Sequence, residues 1–596
     1  MRDLKDVIVF TSCSIHYKYR SKWRTGTFPP PTHSQSTMAS RTYPLIQTLP
    51  VPKGTDAFEA KRAEIFETFV EKVPEEYYIP QHYVDNPPKD VTSIPRDCGM
   101  LTAEELDITE SYDATSLAEA IAARKYTAVA VATAFSKRAI ICDQVSCCLS
   151  QWMPEMAQAQ AKTLDEHLER TGKTVGPLHG VPISVKQHIP LAGTYSDIGF
   201  VSTRVFDEED SPMIAIFRKL GAVFYVKTNQ PQALMHLETD SHFGRVLNPY
   251  NIDLSAGGST GGESALIALR GSVLGIGTDI GGSVRGPAGK CGIYGFKPTS
   301  YTFPMGGFVR GGFPAELNVL CSTGPLCNTL RDMDAYVRLT LEQKPHLTDP
   351  NLTPVPWTGL KTPMDVTVDR PLKIGVMMDD GVIQPQPPVR RALEWAVKQL
   401  ETSPLFDLKP FKPYRAADAM SLIRKMYWPD GGKAVHKATE VTGEPIHFLT
   451  TYIMKDAEGP PLNVAEVTNL RIKRDDFRCQ FAKDWTEQDV DVVLCPMFVG
   501  PAPAHDTSLY WNYTALWNIL DCPGVVFPTP IKAGKKGSEQ YASDASFGEK
   551  DDHVREMWAT NDYEGAPIAL QLVARKHYDN FLFGALDLMQ GPLRLV

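Results

Sequence analysis

Helix and strand signals alternate along this chain of 596 residues, and the alternation predicts an α/β fold: a central mixed, mostly parallel β-sheet covered on both faces by helices. Three stretches carry the prediction. Ser211 and Pro212 supply an N-cap and an N1 proline for a helix to Leu220, Gly221 ends it, and 222–226 follows as an apolar strand. Positions 263–269 read as helix before a strand at 273–276. Positions 372–377 read as strand before a helix at 389–400.

From the N-terminus, the first segment is an extension. Residues 1–37 place Lys18, Arg20, Lys22 and Arg24 in a Ser/Thr-rich stretch whose acids are Asp3 and Asp6, and Phe28-Pro-Pro-Pro31 follows. A disordered tail or an overlong start before Met38 is expected there in preference to a weak transit peptide. The extension is set at 1–45 and a single domain, helical in its N-terminal part, at 46–596. Ser116 and Glu119 form a capping-box signature before an apolar stretch that reads as one or two helices to about residue 140. Positions 155–170 are a further helix, stopped near Gly172. The Pro/Thr-rich 343–371 and the polar 534–552 read as surface insertions, since regular segments resume after each.

Composition excludes several classes. With 43% hydrophobic and 22% charged residues the chain is globular rather than disordered. A net charge of -9 argues against a nucleic-acid partner. Eleven cysteines without a C-x-x-C pair fit reduced thiols in a cytoplasmic protein. No apolar run approaches a membrane span, and the 14 histidines show no metal spacing, so neither metal nor cofactor is expected. A homodimer is allowed for.

The densest chemical signal is Gly257-Gly-Ser-Thr-Gly-Gly-Glu263 followed by Gly275 to Pro287. Eleven glycines crowd 257–289, so the backbone must turn sharply or approach something closely. Each glycine run delivers a serine, and Ile280, Gly281, Gly282 and Ser283 string together N–H groups able to converge on an anion. Gly257 to Gly261 also satisfies G-x-S-x-G, the nucleophile elbow of α/β-hydrolases, which would make Ser259 the nucleophile of an esterase. That motif needs a strand directly upstream, and 248–255 reads as loop.

These blocks, with Gly176-Pro-Leu-His-Gly-Val-Pro-Ile-Ser-Val-Lys186, Lys227-Thr-Asn229, Asn248-Pro249, Gly277-Thr-Asp-Ile-Gly-Gly-Ser-Val-Arg285, Gly295-Phe-Lys-Pro-Thr299 and Gly565 to Val573, resemble the amidase signature family from about Ser116 to Val573. Residues 98–108 and 517–523 resemble its fungal acetamidase-like branch. The resemblance implies the amidase signature fold and hydrolysis of a carboxamide by a Ser-Ser-Lys triad through an acyl-serine. Ser283 then looks like the nucleophile, Lys186 the general base, and Ser259 the bridging serine after a cis peptide. It also implies an oxyanion hole of the Ile280, Gly281, Gly282 and Ser283 N–H groups. Serine is a poor nucleophile until its proton is removed, and lysine can remove it only where burial disfavours its charge. The strand 183–185 would place Lys186 at the end of a buried sheet. Asp279 and Arg285 are expected to pair rather than touch substrate.

Three departures from the family pattern stand out: Gln187 in place of an acid, Thr260 in place of a second serine, and Ala256 in place of a proline. The substrate expected is an uncharged, modest-sized carboxamide. Leu234 or Met235 would wall its pocket unless they are core residues of a helix after Pro231. His447, Phe448, Tyr452, Trp511, Tyr513 and Trp517 are candidates to complete it. A catalytically silent binding module of the same fold is the rival from another class, and its mark, loss of a triad residue, is missing.

Overall fold

The computed structural model describes residues 41, 43–70, 73–308 and 318–596, so most of the expected extension lies outside the described residues. Within that extension Arg41 and Tyr43 are buried. Both bond the Asp143 carboxylate, and Arg41 Nη2 donates to the Leu149 carbonyl at 2.8 Å. The packed chain therefore starts ahead of residue 46.

Among the described residues, eleven strands form one sheet: β1 (Leu149–Trp152), β2 (Pro182–Lys186), β3 (Val223–Thr228), β4 (Leu274–Asp279), β5 (Tyr294–Lys297), β6 (Ser322–Cys327), β7 (Leu372–Val376), β8 (Phe406–Pro410), β9 (Val492–Pro496), β10 (Gly524–Lys532) and β11 (Pro567–Val573). Their order across the sheet is β1-β3-β2-β4-β6-β5-β10-β11-β9-β7-β8. Only four of the ten junctions are parallel, β3–β2, β2–β4, β9–β7 and β7–β8. The other six are antiparallel, which corrects the expectation of a mostly parallel sheet. The cause is burial: β5, β6 and β11 are buried along their whole length, and two-sided burial removes the alternation that would betray an antiparallel strand.

The sheet divides the interior into two cores. Along β9, Val492 and Leu494 face one core while Val493 and Cys495 face the other. Along β11, Leu570 and Leu572 alternate with Ala569 and Val573 in the same way. The first core is closed by the helices Ala128–Ser146, Leu330–Glu342, Pro387–Leu400 and Asp579–Leu593. The second is closed by Ala416–Tyr427, Val464–Glu487 and Asn512–Ile519. A period of two along each strand thus serves two opposed apolar layers.

The three predicted helix and strand pairs appear as Pro212–Lys219 before β3, Gly261–Ala268 before β4, and Pro387–Leu400 after β7. The helix Pro154–Thr171 ends where Gly172 takes φ +68°. The capping box expected at Ser116 and Glu119 lies three residues earlier. Asp113 accepts from the Ser116 N–H at 2.9 Å and caps Ala114–Ala122, with Thr127 capping a separate helix Ala128–Ser146. Aspartate is as good an N-cap as serine, and Ser116 fills the N3 role instead. The segment 343–371 holds two short 3₁₀ turns, Pro345–Leu347 and Gly359–Lys361; the helix Glu549–Thr560 begins inside the second expected insertion. Among the described residues no helix is long and apolar enough to cross a membrane.

Candidate active site

β2 and β4 run parallel, Ser184 opposite Gly275 and Val185 opposite Ile276, so their carboxyl ends lie side by side, where open α/β sheets present ligand sites. Lys186 ends β2 and is fully buried. Its Nζ donates to Ser259 Oγ at 2.7 Å, Thr260 Oγ1 at 3.1 Å and Thr278 Oγ1 at 3.2 Å. Burial pulls its pKa down to about 7, against weaker upward pulls from Cys321, Asp279 and Glu263. A lysine surrounded by hydroxyls and held near neutrality can take a proton.

Ser259 lies at the entry to the helix Gly261–Ala268, and the peptide Gly258–Ser259 is cis. A Cβ on Gly258 would stand 2.6 Å from the Glu238 carbonyl oxygen, so only glycine lets the backbone pass. The upstream segment is not the loop expected. Asn251–Ser255 is a strand, but it pairs with Leu247–Asn248 in a ribbon outside the central sheet. Its partner is two residues long, which left no periodic run to recognise. The α/β-hydrolase arrangement gains nothing from it, because the elbow strand belongs to the main sheet and Ser259 meets a lysine.

After β4 the chain turns through Ile280, Gly281, Gly282 and Ser283 into the short helix Arg285–Lys290. Gly282 has φ +126°, with the Thr514 side chain closed against it. Asp279 organises the turn: Oδ1 accepts from Gly282 N–H at 2.8 Å and Asn518 Nδ2 at 2.8 Å, and Oδ2 from Arg285 Nε at 3.0 Å. Arg285 also donates to the Thr514 carbonyl at 3.1 Å and to Asn518 Oδ1 at 2.6 Å. The pair thus holds the loop, as expected. The Gly282 N–H is engaged by this carboxylate, which corrects its place among the oxyanion donors and leaves Ile280, Gly281 and Ser283. On the carbonyl side, the Tyr427 hydroxyl donates to Ile280 O at 3.0 Å, Thr514 Oγ1 to Gly281 O at 2.8 Å, and Gly286 N–H to Gly282 O at 2.6 Å. Ser283 is buried, and its hydroxyl makes no hydrogen bond with a described residue.

The departures settle into the fold. Gln187 Oε1 accepts from Ser150 Oγ at 2.6 Å and Gln151 Nε2 at 2.9 Å, while its own NH₂ donates to Asp197 Oδ2 at 2.8 Å. Thr260 keeps the hydroxyl contact with Lys186. No helix follows Pro231: Gln232–Leu234 is a 3₁₀ turn with Ala233 and Leu234 at positive φ, and Leu234 and Met235 are half-buried against the second core. Of the six aromatic and polar candidates, Tyr513 and Trp517 are core residues and Phe448 is 58% exposed. Tyr452 donates to the Leu509 carbonyl at 2.9 Å. His447 Nδ1 stands 3.6 Å from Asp240. Trp511 reaches the turn, its indole nitrogen 3.6 Å from where a Cβ on Gly281 would be. Tyr427, Thr514 and Asn518 were not foreseen as site residues; no glycine or charge motif marks Tyr427 or Thr514.

A family model described as Amidase matches residues 130–583. The chain is 42% identical over 506 residues to a Schizosaccharomyces pombe protein named as an amidase, covering 84% of this chain and 93% of that protein. It is 33% identical to an acetamidase of Emericella nidulans, covering 87% and 94%. Among solved structures it is similar to fatty acid amide hydrolase, with a TM-score of 0.80, 30% identity and coverage of 90% and 95%.

Proposed function

Since the chain belongs to the amidase signature family and hydrolyses amides, we propose that it cleaves a small carboxamide through an acyl-serine intermediate. Neutral Lys186 takes a proton relayed through Ser259 from Ser283, and Ser283 Oγ attacks the carbonyl carbon. The N–H groups of Ile280, Gly281 and Ser283 hold the oxyanion. The proton returns through Ser259 to the leaving amine, and water then releases the carboxylate by the same relay. The observation that carries this reading is a buried lysine bonded, among the described residues, to three hydroxyls, with Ser259 Oγ at 2.7 Å.

An activated phosphonate or carbamate should label Ser283, read by peptide mass spectrometry. A label on Ser259 that survives Ser283→Ala would replace this reading with the α/β-hydrolase one. The substrate proposed is uncharged, supported by half-buried Leu234 and Met235 and by relatives named acetamidase and fatty acid amide hydrolase. An amide panel graded by length and charge tests it: highest kcat/KM on a charged amide would reject the apolar pocket. A cytoplasmic location is proposed on ten free cysteines among the described residues.

A further inference from the structure

The turn after β4 carries three successive peptide units, and each carbonyl is held by a different group. The Gly281–Gly282 unit is fixed at both ends, its carbonyl by Thr514 Oγ1 at 2.8 Å and its N–H by Asp279 Oδ1 at 2.8 Å. The Gly282–Ser283 unit is fixed by the helix that follows, through Gly286 N–H at 2.6 Å. Among the described residues the Ile280–Gly281 unit is anchored by the Tyr427 hydroxyl, 3.0 Å from the Ile280 oxygen. In a trans peptide the C=O and N–H point in opposite directions, so the group that captures the carbonyl also aims the N–H of the next residue. A flexible glycine at position 281 offers little resistance to rotation of that unit.

We propose that Tyr427 is a positioning residue for the reaction: by holding the Ile280 carbonyl it turns the Gly281 N–H onto the substrate oxygen as negative charge develops there. Tyr427 ends the helix Ala416–Tyr427, is buried, and stands over Gly281 so closely that a Cβ there would lie 2.6 Å from its hydroxyl. Burial pushes that hydroxyl far up in pKa, so it stays a donor at every working pH. Tyr427 acts on the turn through the Ile280 carbonyl, so its effect passes through one peptide. The inference rests on the acyl-serine reading above.

The test is Tyr427→Phe, which keeps the ring and removes the donor. Losing an oxyanion donor outright costs about 10²–10³ in kcat, and a misaimed one should cost about tenfold to a hundredfold. KM should change less than about twofold. Two inhibitors of one carbon skeleton give the readout that packing alone would not move. A trifluoromethyl ketone, which forms the tetrahedral oxyanion, should weaken by the same factor as kcat, while the matching alcohol should bind as before. Thr514→Val should do less harm, since Asp279 still holds that peptide. Wild-type kcat in a folded Tyr427→Phe, or equal weakening of both inhibitors with a raised KM, would overturn the proposal. If the phenylalanine variant does not fold, 4-fluorophenylalanine at 427 fills the hydroxyl's space without a donor and is read the same way. Phosphonate labelling of wild-type Ser283 is run beside it. Absence of that label sinks the acyl-serine reading, whereas a labelled wild type with an unimpaired variant sinks the role of Tyr427 alone.

Discussion

At the scale of single residues, Lys186 shows how burial brings an ordinary cation close to neutrality. Its charge is disfavoured by the loss of water, and three hydroxyls replace the carboxylate that would otherwise hold the proton. In the proposed mechanism the working form is the neutral one, present above about pH 7 and lost as pH falls through that value. The pH–rate profile should therefore rise from the acid side with a midpoint near 7. Lys186→Ala should retain the fold and lose about 10²–10⁴-fold in kcat, measured on any amide the wild type turns over. Gln187 sits next to Lys186 in sequence and points elsewhere, its amide committed to Ser150, Gln151 and Asp197. Gln187→Glu would set a second buried carboxylate against Asp197 and remove a donor, at a cost of about 1–3 kcal/mol. A lower denaturation midpoint with an unmoved pH midpoint is expected; a shift of the pH profile would show that position 187 does act on the base.

At the scale of elements, the site is the meeting of one parallel strand pair with two glycine-rich turns. β2 delivers Lys186 and β4 delivers Asp279, and the register between them sets their separation. Gly282 at φ +126° cannot easily accept a side chain, because the Thr514 side chain also closes against it. Gly282→Ala should cost about 1–3 kcal/mol in strain and abolish labelling of Ser283, checked by denaturant titration and probe incorporation together. The helices around the site were legible from Pro212, Gly172 and the glycine runs, since caps and breakers are local signals. Strand direction was not: β5, β6, β10 and β11 owe theirs to partners far along the chain, such as Phe296 opposite Val525. For the same reason Lys186, Ser259 and Ser283 could be named from motifs, whereas Tyr427 and Thr514 act through contacts that no local pattern encodes. The Asn251–Ser255 strand was missed because its short ribbon partner gives no periodic run.

At the scale of the whole molecule, the Asp279–Arg285 pair joins the central glycine motif to the C-terminal segments. Arg285 reaches Asn518 and, at 3.3 Å, Gln571 Oε1, so a strand and a helix from the end of the chain converge on it. Burial raises the Asp279 pKa, but Arg285 and Asn518 outweigh that and hold the carboxyl well below the usual range. Its contribution to stability is therefore present above the ordinary carboxylate pKa and is lost as pH falls through the lowered value. Arg285→Met should cost about 3–5 kcal/mol by stranding a buried charge, and should move the acid limb of the unfolding curve toward neutral pH. An unmoved acid limb would mean that other groups hold Asp279 ionised. The pins on the turn carry a further consequence for biosynthesis. Lys186, Ser259 and Ser283 leave the ribosome early, but the hydroxyls that hold the Ile280 and Gly281 carbonyls belong to residues 427 and 514. Chains are made N-terminus first, so a product that ends before residue 427 carries the proposed triad without either of these two pins on its turn. On the proposed mechanism the second pin is added only in about the last seventh of translation, and copies truncated before residue 514 are expected to be inert.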